Sequence, residues 1–341
     1  MIPVFILTGF LGAGKTTFLN RLLKDPALSD TAVIVNEFGE TGIDHLLVEQ
    51  ATDGIVELSG GCLCCTVQGE LAETLAGLAD RLQTGRLTAL ARVVIETSGL
   101  ADPGPVLEML AGHPVLRQAF SIGGVITIAD AVHGVETLRD HDEGRAQVML
   151  ADRIIISKAD LGGDISGLRT AIGKLNSRCD ILLAADVHSP ADLLTFGITS
   201  SHVCGPGCNH DHHHGHHHHG DAASFTLGHD GPLPVQTIDL FLDLLRSAYG
   251  EGLLRFKGLA ETPDDARPLV IQGVRRMLAP HERLASWPDG QRGTRLVLIG
   301  TGMDQPRISA LFDAFCGKAQ IGQPDRTALT DNPLAVPGFK F

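Results

Sequence analysis

Short apolar runs alternate with stretches of helical spacing through the first 200 residues of the chain. Runs rich in β-branched residues predict strands, and leucines three or four positions apart, such as Leu71, Leu75, Leu78 and Leu82, predict helices between them. The predicted strands cover residues 4–8, 32–35, 55–58, 93–96, 125–129, 153–157 and 181–184. This order predicts an α/β domain with a mainly parallel sheet, helices on both faces, and ligand loops at the carboxyl ends of the strands.

The pattern changes after residue 201. Residues 202–223 are rich in Gly and His and offer little to bury, which predicts a flexible linker. Beyond it, the order of elements is different: strands are predicted at 224–227, 253–259, 269–274 and 295–299, and helices at 235–249 and 306–315. We therefore predict an α/β domain over 1–201, a small α+β domain over 224–318 whose core is covered by Trp287, and an extended tail over 319–341.

Charge and hydropathy narrow the class of protein. The 341 residues include 27 Lys and Arg against 40 Asp and Glu, a formal net charge of −13. Such an acidic chain lacks the basic face that nucleic acid binding requires, so we expect no nucleic acid partner. The apolar runs are too short to span a bilayer, and residues 1–7 carry no basic leader. We expect a cytoplasmic protein without membrane contact.

The strongest chemical signal follows the first predicted strand. It is the Walker A pattern Gly9-Phe10-Leu11-Gly12-Ala13-Gly14-Lys15-Thr16, extended by Thr17. Glycines in such a loop let backbone N–H groups surround a β-phosphate, the lysine neutralises the β- and γ-oxygens, and the threonine hydroxyl is a Mg²⁺ ligand. We expect the Lys15 amine to face solvent when no nucleotide is bound. The pattern predicts a P-loop nucleotide site.

Two further strand ends complete a GTPase pattern. The run ending at Glu96-Thr97-Ser98-Gly99 is typical of switch II, in which Glu96 holds Mg²⁺ through water and the Gly99 amide senses the γ-phosphate. Leu100 stands where strongly stimulated GTPases carry a water-positioning glutamine, which predicts slow intrinsic hydrolysis. The loop Ser157-Lys158-Ala159-Asp160 is close to the guanine loop Asn-Lys-x-Asp, with Asp160 on the base and Lys158 over its ring. Serine in place of asparagine leaves the preference for GTP over ATP open.

A cluster of cysteines predicts a metal site. Cys62, Cys64 and Cys65 place three thiols within four residues, and the chain has seven cysteines in all, a number and spacing that fit metal ligation better than disulfides. Three thiolates can converge on one soft cation and leave a fourth position to another residue or a partner. The alternative is that one or two of these cysteines are small, inert core side chains.

A second group of metal-binding side chains lies in the predicted linker. Cys204 and Cys208 precede a histidine tract made of His210, His212, His213, His214, His216, His217, His218 and His219. We expect it to capture metal weakly and exchangeably rather than at one rigid site. The alternative is a solvated linker with incidental affinity for metals.

These motifs resemble those of the CobW-type P-loop GTPases, a group of zinc chaperones and metal-insertion factors, over nearly the whole chain. The resemblance rests on the segments 9–17, 36–40 (Asn-Glu-Phe-Gly-Glu), 62–65, 96–103, 157–160, 254–258 and 292–297. It implies a GTPase that uses GTP and Mg²⁺ and binds Zn²⁺ at Cys62, Cys64 and Cys65. It also implies accessory metal contacts at Glu40 and His113, whereas His113 could equally be a solvated turn residue.

The function that we predict is a GTP-hydrolysing metallochaperone. GTP and Mg²⁺ would order the loops around Glu37 and Glu96, and these loops flank the cysteine segment, so the γ-phosphate can bias metal affinity and delivery to a client metalloprotein. Glu37 and Glu40 could instead be an acidic loop surface. Three alternatives in function stay open: a cobalt-handling GTPase of cobalamin biosynthesis, a non-catalytic zinc buffer, and a nucleotide-dependent kinase. A homodimer also stays open.

Overall fold

The computed structural model describes residues 1–36, 55–58, 65–194, 222–288 and 290–318. Its first sheet has seven described strands in the order β3-β2-β4-β1-β5-β6-β7, and each neighbouring pair is parallel. The strands are β1 (Ile2–Gly9), β2 (Thr31–Asn36), β3 (Ile55–Leu58), β4 (Arg92–Glu96), β5 (Phe120–Asp130), β6 (Arg153–Ser157) and β7 (Asp180–Leu183). The predicted α/β fold with a parallel sheet is confirmed.

Helices cover both faces of this sheet. They are α1 (Lys15–Leu23), α2 (Cys65–Gln83), α3 (Gly104–Gly112), α4 (Leu116–Ala119), α5 (Gly134–Asp140), α6 (Asp142–Met149) and α7 (Ile165–Leu175). Alternate residues of β1 enter opposite layers of the core. Val4 and Ile6 pack with α2 and α3, whereas Phe5 and Leu7 pack with α1. The continuous apolar strands therefore follow from burial on both faces.

The second sheet is antiparallel, in the order β11-β10-β9-β13-β8, with β12 paired to β10. The elements are β8 (Ala222–His229), α8 (Val235–Tyr249), β9 (Leu253–Thr262), β10 (Asp265–Val274), β11 (Met277–Leu278), β12 (Glu282–Arg283), β13 (Thr294–Thr301) and α9 (Gln305–Phe315). Helices α8 and α9 cover one face. The prediction for Trp287 is wrong: its ring is not part of that core, and its indole N–H donates to the Ala266 carbonyl at the surface.

The other face of the second sheet packs against the P-loop domain. Phe256 points into the core under α8, so its neighbours on β9, Arg255 and Lys257, point the opposite way. Both cations reach Asp152, which lies between α6 and β6. Nη2 of Arg255 is 2.8 Å from Oδ2 of Asp152, and the Lys257 amine bonds the other carboxylate oxygen. A buried ion triad therefore joins the two domains.

Two predictions lie outside the described residues. The linker over 202–223 and the tail over 319–341 fall there almost entirely, and the domain boundaries remain predictions. None of the described helices is both long and apolar enough to cross a membrane.

Candidate functional site

The P-loop connects β1 to α1 at the carboxyl edge of the parallel sheet. Gly9 has φ 145°, and a Cβ there would lie 2.4 Å from the carbonyl oxygen of Ile128, so no side chain fits. Gly14 caps α1 with φ 98°, a left-handed conformation that favours glycine. The Walker A glycines are thus required by backbone geometry as well as by the approach of a phosphate.

Lys15, the first residue of α1, folds its side chain back over the loop. Its amine donates to the carbonyl oxygens of Gly9 at 2.9 Å and Phe10 at 3.4 Å. The expectation that this amine faces solvent is therefore corrected. Carbonyl oxygens are neutral acceptors, and phosphate oxygens would hold the ammonium more strongly, since hydrogen bonds between ions are the stronger class. Thr16 and Thr17 follow on the first turn of α1, and Thr17 is exposed.

Ser157 ends β6 and contacts the P-loop directly. Its hydroxyl donates to the Ala13 carbonyl at 2.6 Å and also lies 3.3 Å from the Ala129 carbonyl. The side chain is buried. The sequence presented this serine only as a substitute for a base-reading asparagine, whereas in the fold it holds the P-loop against the end of β6.

The rest of the predicted base loop carries one strained residue and one acidic partner. Lys158 has φ 54°, and its amine lies 2.6 Å from Oδ2 of Asp130 at the end of β5. Burial of Asp130 opposes its ionisation, but the bonds from Lys158 and from the Val132 amide outweigh this and lower its pKa below the ordinary 3.8. Asp160 stays exposed in the turn Ala159–Leu161. Sequence reasoning missed Asp130, although its place at the end of an apolar strand was the available signal.

The predicted switch II segment lies beside the P-loop. In the sheet Glu96 pairs with Leu7, two residues before the loop begins, and its side chain is buried. The Thr97 hydroxyl donates to that of Thr8 at 2.8 Å. A Cβ on Gly99 would lie 2.7 Å from the backbone nitrogen of Leu11. The structure therefore brings the P-loop, Glu96 and Gly99 together as the motifs predicted.

A buried amide that the sequence did not point to also contacts switch II. Gln147 on α6 is 1% exposed, and its Nε2 donates to the carbonyl oxygens of Gly99 at 3.1 Å and Ala101 at 3.0 Å. It also lines a cavity of about 450 Å³ beside Phe10–Ala13 and Lys158. At the rim of that cavity the Phe10 ring stacks on His141, with centroids 4.5 Å apart.

The predicted metal residues fall mostly outside the described residues. Glu37, Glu40, Cys62 and Cys64 do so, and Cys65 begins α2 with its side chain not described. His113 is the C-cap residue that follows α3, and its Nδ1 accepts a long, 3.5 Å hydrogen bond from the Leu116 amide. Among the described residues, no three His, Cys, Asp or Glu side chains are grouped to hold a metal. The metal assignments therefore remain predictions.

The two described cysteines outside the predicted sites are poor metal ligands. Burial raises the pKa of Cys179 to about 12 and that of Cys316 to about 11. With these raised pKa values both cysteines stay protonated at neutral pH, whereas the thiolate is the form that binds metal. They are therefore suitable controls for the predicted cysteine site.

Comparisons with known proteins agree with this geometry. The chain is 32% identical to the zinc chaperone YjiA of Escherichia coli (91% of this chain, 98% of that one), and 34% identical to the zinc chaperone CobW of Pseudomonas aeruginosa (90% of each). The crystal structure of Zn(II)-bound YjiA GTPase superposes with a TM-score of 0.64 at 29% identity, over 92% of this chain and 98% of that one. The family model for the CobW/HypB/UreG nucleotide-binding domain matches residues 3–182, and that for the CobW C-terminal domain matches residues 222–316. The chain belongs to the CobW family of P-loop nucleotide-binding proteins.

Proposed function

We propose that this protein is a GTPase whose nucleotide cycle controls the binding of zinc and its transfer to a client metalloprotein. One observation carries the proposal: the hydroxyl of Ser157, in the predicted base loop, donates a hydrogen bond to Ala13 of a complete Walker A loop. Glu96 ends β4, the strand that pairs with β1, at the same carboxyl edge of the sheet. The segments to which we assign phosphate binding, switching and base reading are neighbours at this edge, which supports the proposal. The names of the relatives support zinc as the cargo.

The nucleotide would be held by the backbone of the P-loop and by Lys15, whose amine would leave the Gly9 and Phe10 carbonyls for the phosphates. Asp160, exposed in the turn Ala159–Leu161, would accept hydrogen bonds from the guanine ring. The paired carboxylate of Asp130 would hold Lys158 over the base. These roles favour guanine through Asp160 rather than through Ser157.

Magnesium fits the residues at this edge. Thr16 supplies a hydroxyl oxygen on the first turn of α1, and Glu96 supplies a carboxylate on the strand next to β1. Oxygen donors of this kind suit a hard cation that retains several waters. Bound there, the ion would neutralise charge on the phosphates. The protein's own part is to orient the phosphates through Lys15 and the loop amides.

The cargo site would be formed by Cys62, Cys64 and Cys65. They precede or begin α2, and the loops of Glu37 and Glu96 flank them in the chain. Three thiolates with an open fourth position suit transfer, because an incoming client ligand can occupy that position before the ion leaves. Glu40 and His113 would add contacts during this exchange.

Phosphate release from GTP, measured with and without one equivalent of Zn(II), tests the proposal. We expect turnover with GTP that exceeds turnover with ATP, and a zinc affinity, measured by chelator competition, that differs between the GTP-bound and GDP-bound protein. Lys15→Ala should remove nucleotide binding and the effect of GTP on zinc. Tight zinc binding that is indifferent to nucleotide, without any turnover, would leave a zinc buffer as the function.

A further inference from the structure

We propose that Gln147 is the positioning residue for switch II: its side-chain amide holds the Gly99–Ala101 backbone in the arrangement that recognises the γ-phosphate. The inference rests on the proposed function and names a residue that the GTPase motifs do not contain. Gln147 would act through Gly99 and not on the nucleotide itself.

The contact is specific in its chemistry. A side-chain amide has two N–H donors, and Nε2 of Gln147 contacts two carbonyls, those of Gly99 and Ala101, on either side of Leu100. The Gly99 carbonyl belongs to the same peptide unit as the Leu100 amide. Holding it fixes the orientation of the backbone that follows the sensing amide. Leu100 itself is 49% exposed, so its own side chain does little to hold this segment.

The amide is placed where a polar side chain is costly unless it is paired. Gln147 is 1% exposed, and its neighbours along the same cavity wall include the apolar side chains of Leu138 and Val148. An unpaired amide buried there would cost about 1 to 3 kcal/mol. The paired amide instead joins helix α6 to the segment that follows β4.

The helix that carries Gln147 is itself held firmly. The Gln147 carbonyl accepts a hydrogen bond from the Thr127 hydroxyl at 2.8 Å. At the end of α6, Nδ2 of the buried Asn176 donates to the carbonyls of Val148, Met149 and Ala151, and Arg255 donates to that of Leu150. A side chain on so constrained a helix can fix the position of a loop that it contacts. Moving the helix to suit the loop would cost more free energy.

The test compares Gln147→Leu with the matched control Gln272→Leu. Both replace a buried glutamine amide that donates to the backbone, but Gln272 on β10 donates to the Ile122 carbonyl at 3.0 Å and contacts neither α6 nor Gly99 through that bond. We expect Gln147→Leu to bind GDP within about twofold of the parent and to lose about tenfold in GTP affinity, since two hydrogen bonds are removed from the γ-phosphate sensor. Gln272→Leu should also lower the unfolding temperature, because a buried hydrogen bond is lost, and should keep the parent ratio of GTP to GDP affinity.

A third variant adds a readout that lost stability cannot produce. In Gln147→Glu the ionised carboxylate would face two carbonyl oxygens that repel it, whereas its protonated form can donate a hydrogen bond to one of them. Burial and the two carbonyls should therefore raise the pKa of this glutamate. We expect its GTP to GDP affinity ratio to recover several-fold between pH 8 and pH 6, unlike that of Gln147→Leu. The other titratable groups around the cavity are common to all variants: Asp130, His133, Glu136, Asp140, His141 and Lys158.

The outcomes separate this inference from the proposed function. Equal or tighter GTP binding by Gln147→Leu, or the same loss of ratio in Gln272→Leu, would overturn the role of Gln147 while leaving the GTPase intact. Equilibrium affinities do not require turnover, so absent hydrolysis by the parent would count against the proposed function alone. A parent that binds no GTP would overturn both.

Discussion

The Ser157 hydroxyl donates its single proton to the carbonyl oxygen of Ala13 across 144 positions of the chain, at 2.6 Å. In a base loop that begins with asparagine, the amide has two N–H donors, enough for the P-loop and a base together. Serine has one, and here the P-loop takes it. Ser157 therefore bonds to the P-loop but has no second proton to donate to a base.

Replacing Ser157 should therefore lower the affinity for GTP and for GDP to the same extent. We expect Ser157→Ala to lower GTP and GDP affinity by about fivefold, because one hydrogen bond holding the P-loop is lost. Ser157→Asn supplies two donors and should raise the preference for GTP over ATP. Equilibrium binding of GTP, GDP and ATP measures both effects. A Ser157→Ala variant that loses only its discrimination of guanine from adenine would contradict the role of Ser157 in holding the P-loop.

Gly99→Ala should lower the affinity for nucleotide. A Cβ at position 99 would lie 2.7 Å from the backbone nitrogen and 2.8 Å from the Cα of Leu11, so the P-loop must shift. We expect about a tenfold loss in GTP affinity, of the order that a strained core substitution costs. The matched control is Gly77→Ala at an exposed position of α2, where a Cβ meets nothing within 4 Å and alanine should stabilise the helix. Unchanged affinity in Gly99→Ala would mean that the loops do not pack in this way in solution.

Replacing Cys62, Cys64 and Cys65 by serine should remove one tightly bound zinc ion, because the three thiolates supply most of its ligands. Deleting residues 210–219 should remove only weaker equivalents. Chelator competition measures both. The double variant Cys179→Ser with Cys316→Ser should keep the tight site, since burial keeps both thiols protonated. Tight zinc binding retained by the triple serine variant would refute the assignment.

The interdomain triad should make stability depend on pH in the acid range. Burial opposes ionisation of Asp152, but Arg255 and Lys257 overcome it and lower its pKa from 3.8 to about 2. A lowered pKa in the folded chain means that the unfolded chain binds the proton more readily. The stabilisation is therefore complete above about pH 4 and is lost as the pH falls towards 2.

Thermal unfolding as a function of pH, for the parent and for Asp152→Asn, checks this. Asp152→Asn leaves two buried cations without their carboxylate and should cost about 3 kcal/mol or more at pH 7. The difference between the two proteins should shrink between pH 4 and pH 2. If the difference in stability between the parent and Asp152→Asn stayed constant down to pH 2, the ionisation of Asp152 would not contribute to folding stability in this range.

Intrinsic hydrolysis should be slow. Leu100 cannot hydrogen-bond an attacking water, so we expect single-turnover rates of about 10⁻⁴ to 10⁻² s⁻¹ for the metal-free protein, as for unstimulated GTPases. Metal, a client or a second protomer would raise the rate by supplying or repositioning a donor. Several turnovers per second without any partner would show that another group already positions the water.

Much of the fold was determined by the sequence alone. Strands of a parallel sheet buried on both faces read as continuous apolar runs, and their ends were marked by Gly9, Glu96 and Ser157. Because the carboxyl ends of parallel strands meet at one edge, those motifs could be expected to converge, and they do. Helix α8 was predicted at its observed bounds from its spacing. The two-residue strands β11 and β12 were missed, since a run so short has no period.

Only the tertiary structure decided which side chains support the site. The pairs Asp130 with Lys158, Gln147 with Gly99, and Asp152 with Lys257 join residues 28, 48 and 105 positions apart. Periodicity and motif spacing report on neighbours within a few turns or along one strand. A single buried polar residue leaves no repeat in the sequence, and its partner is set by how the layers pack. The motifs that predict the site's chemistry could therefore be read from the chain, whereas the contacts that hold the described motifs in place could not.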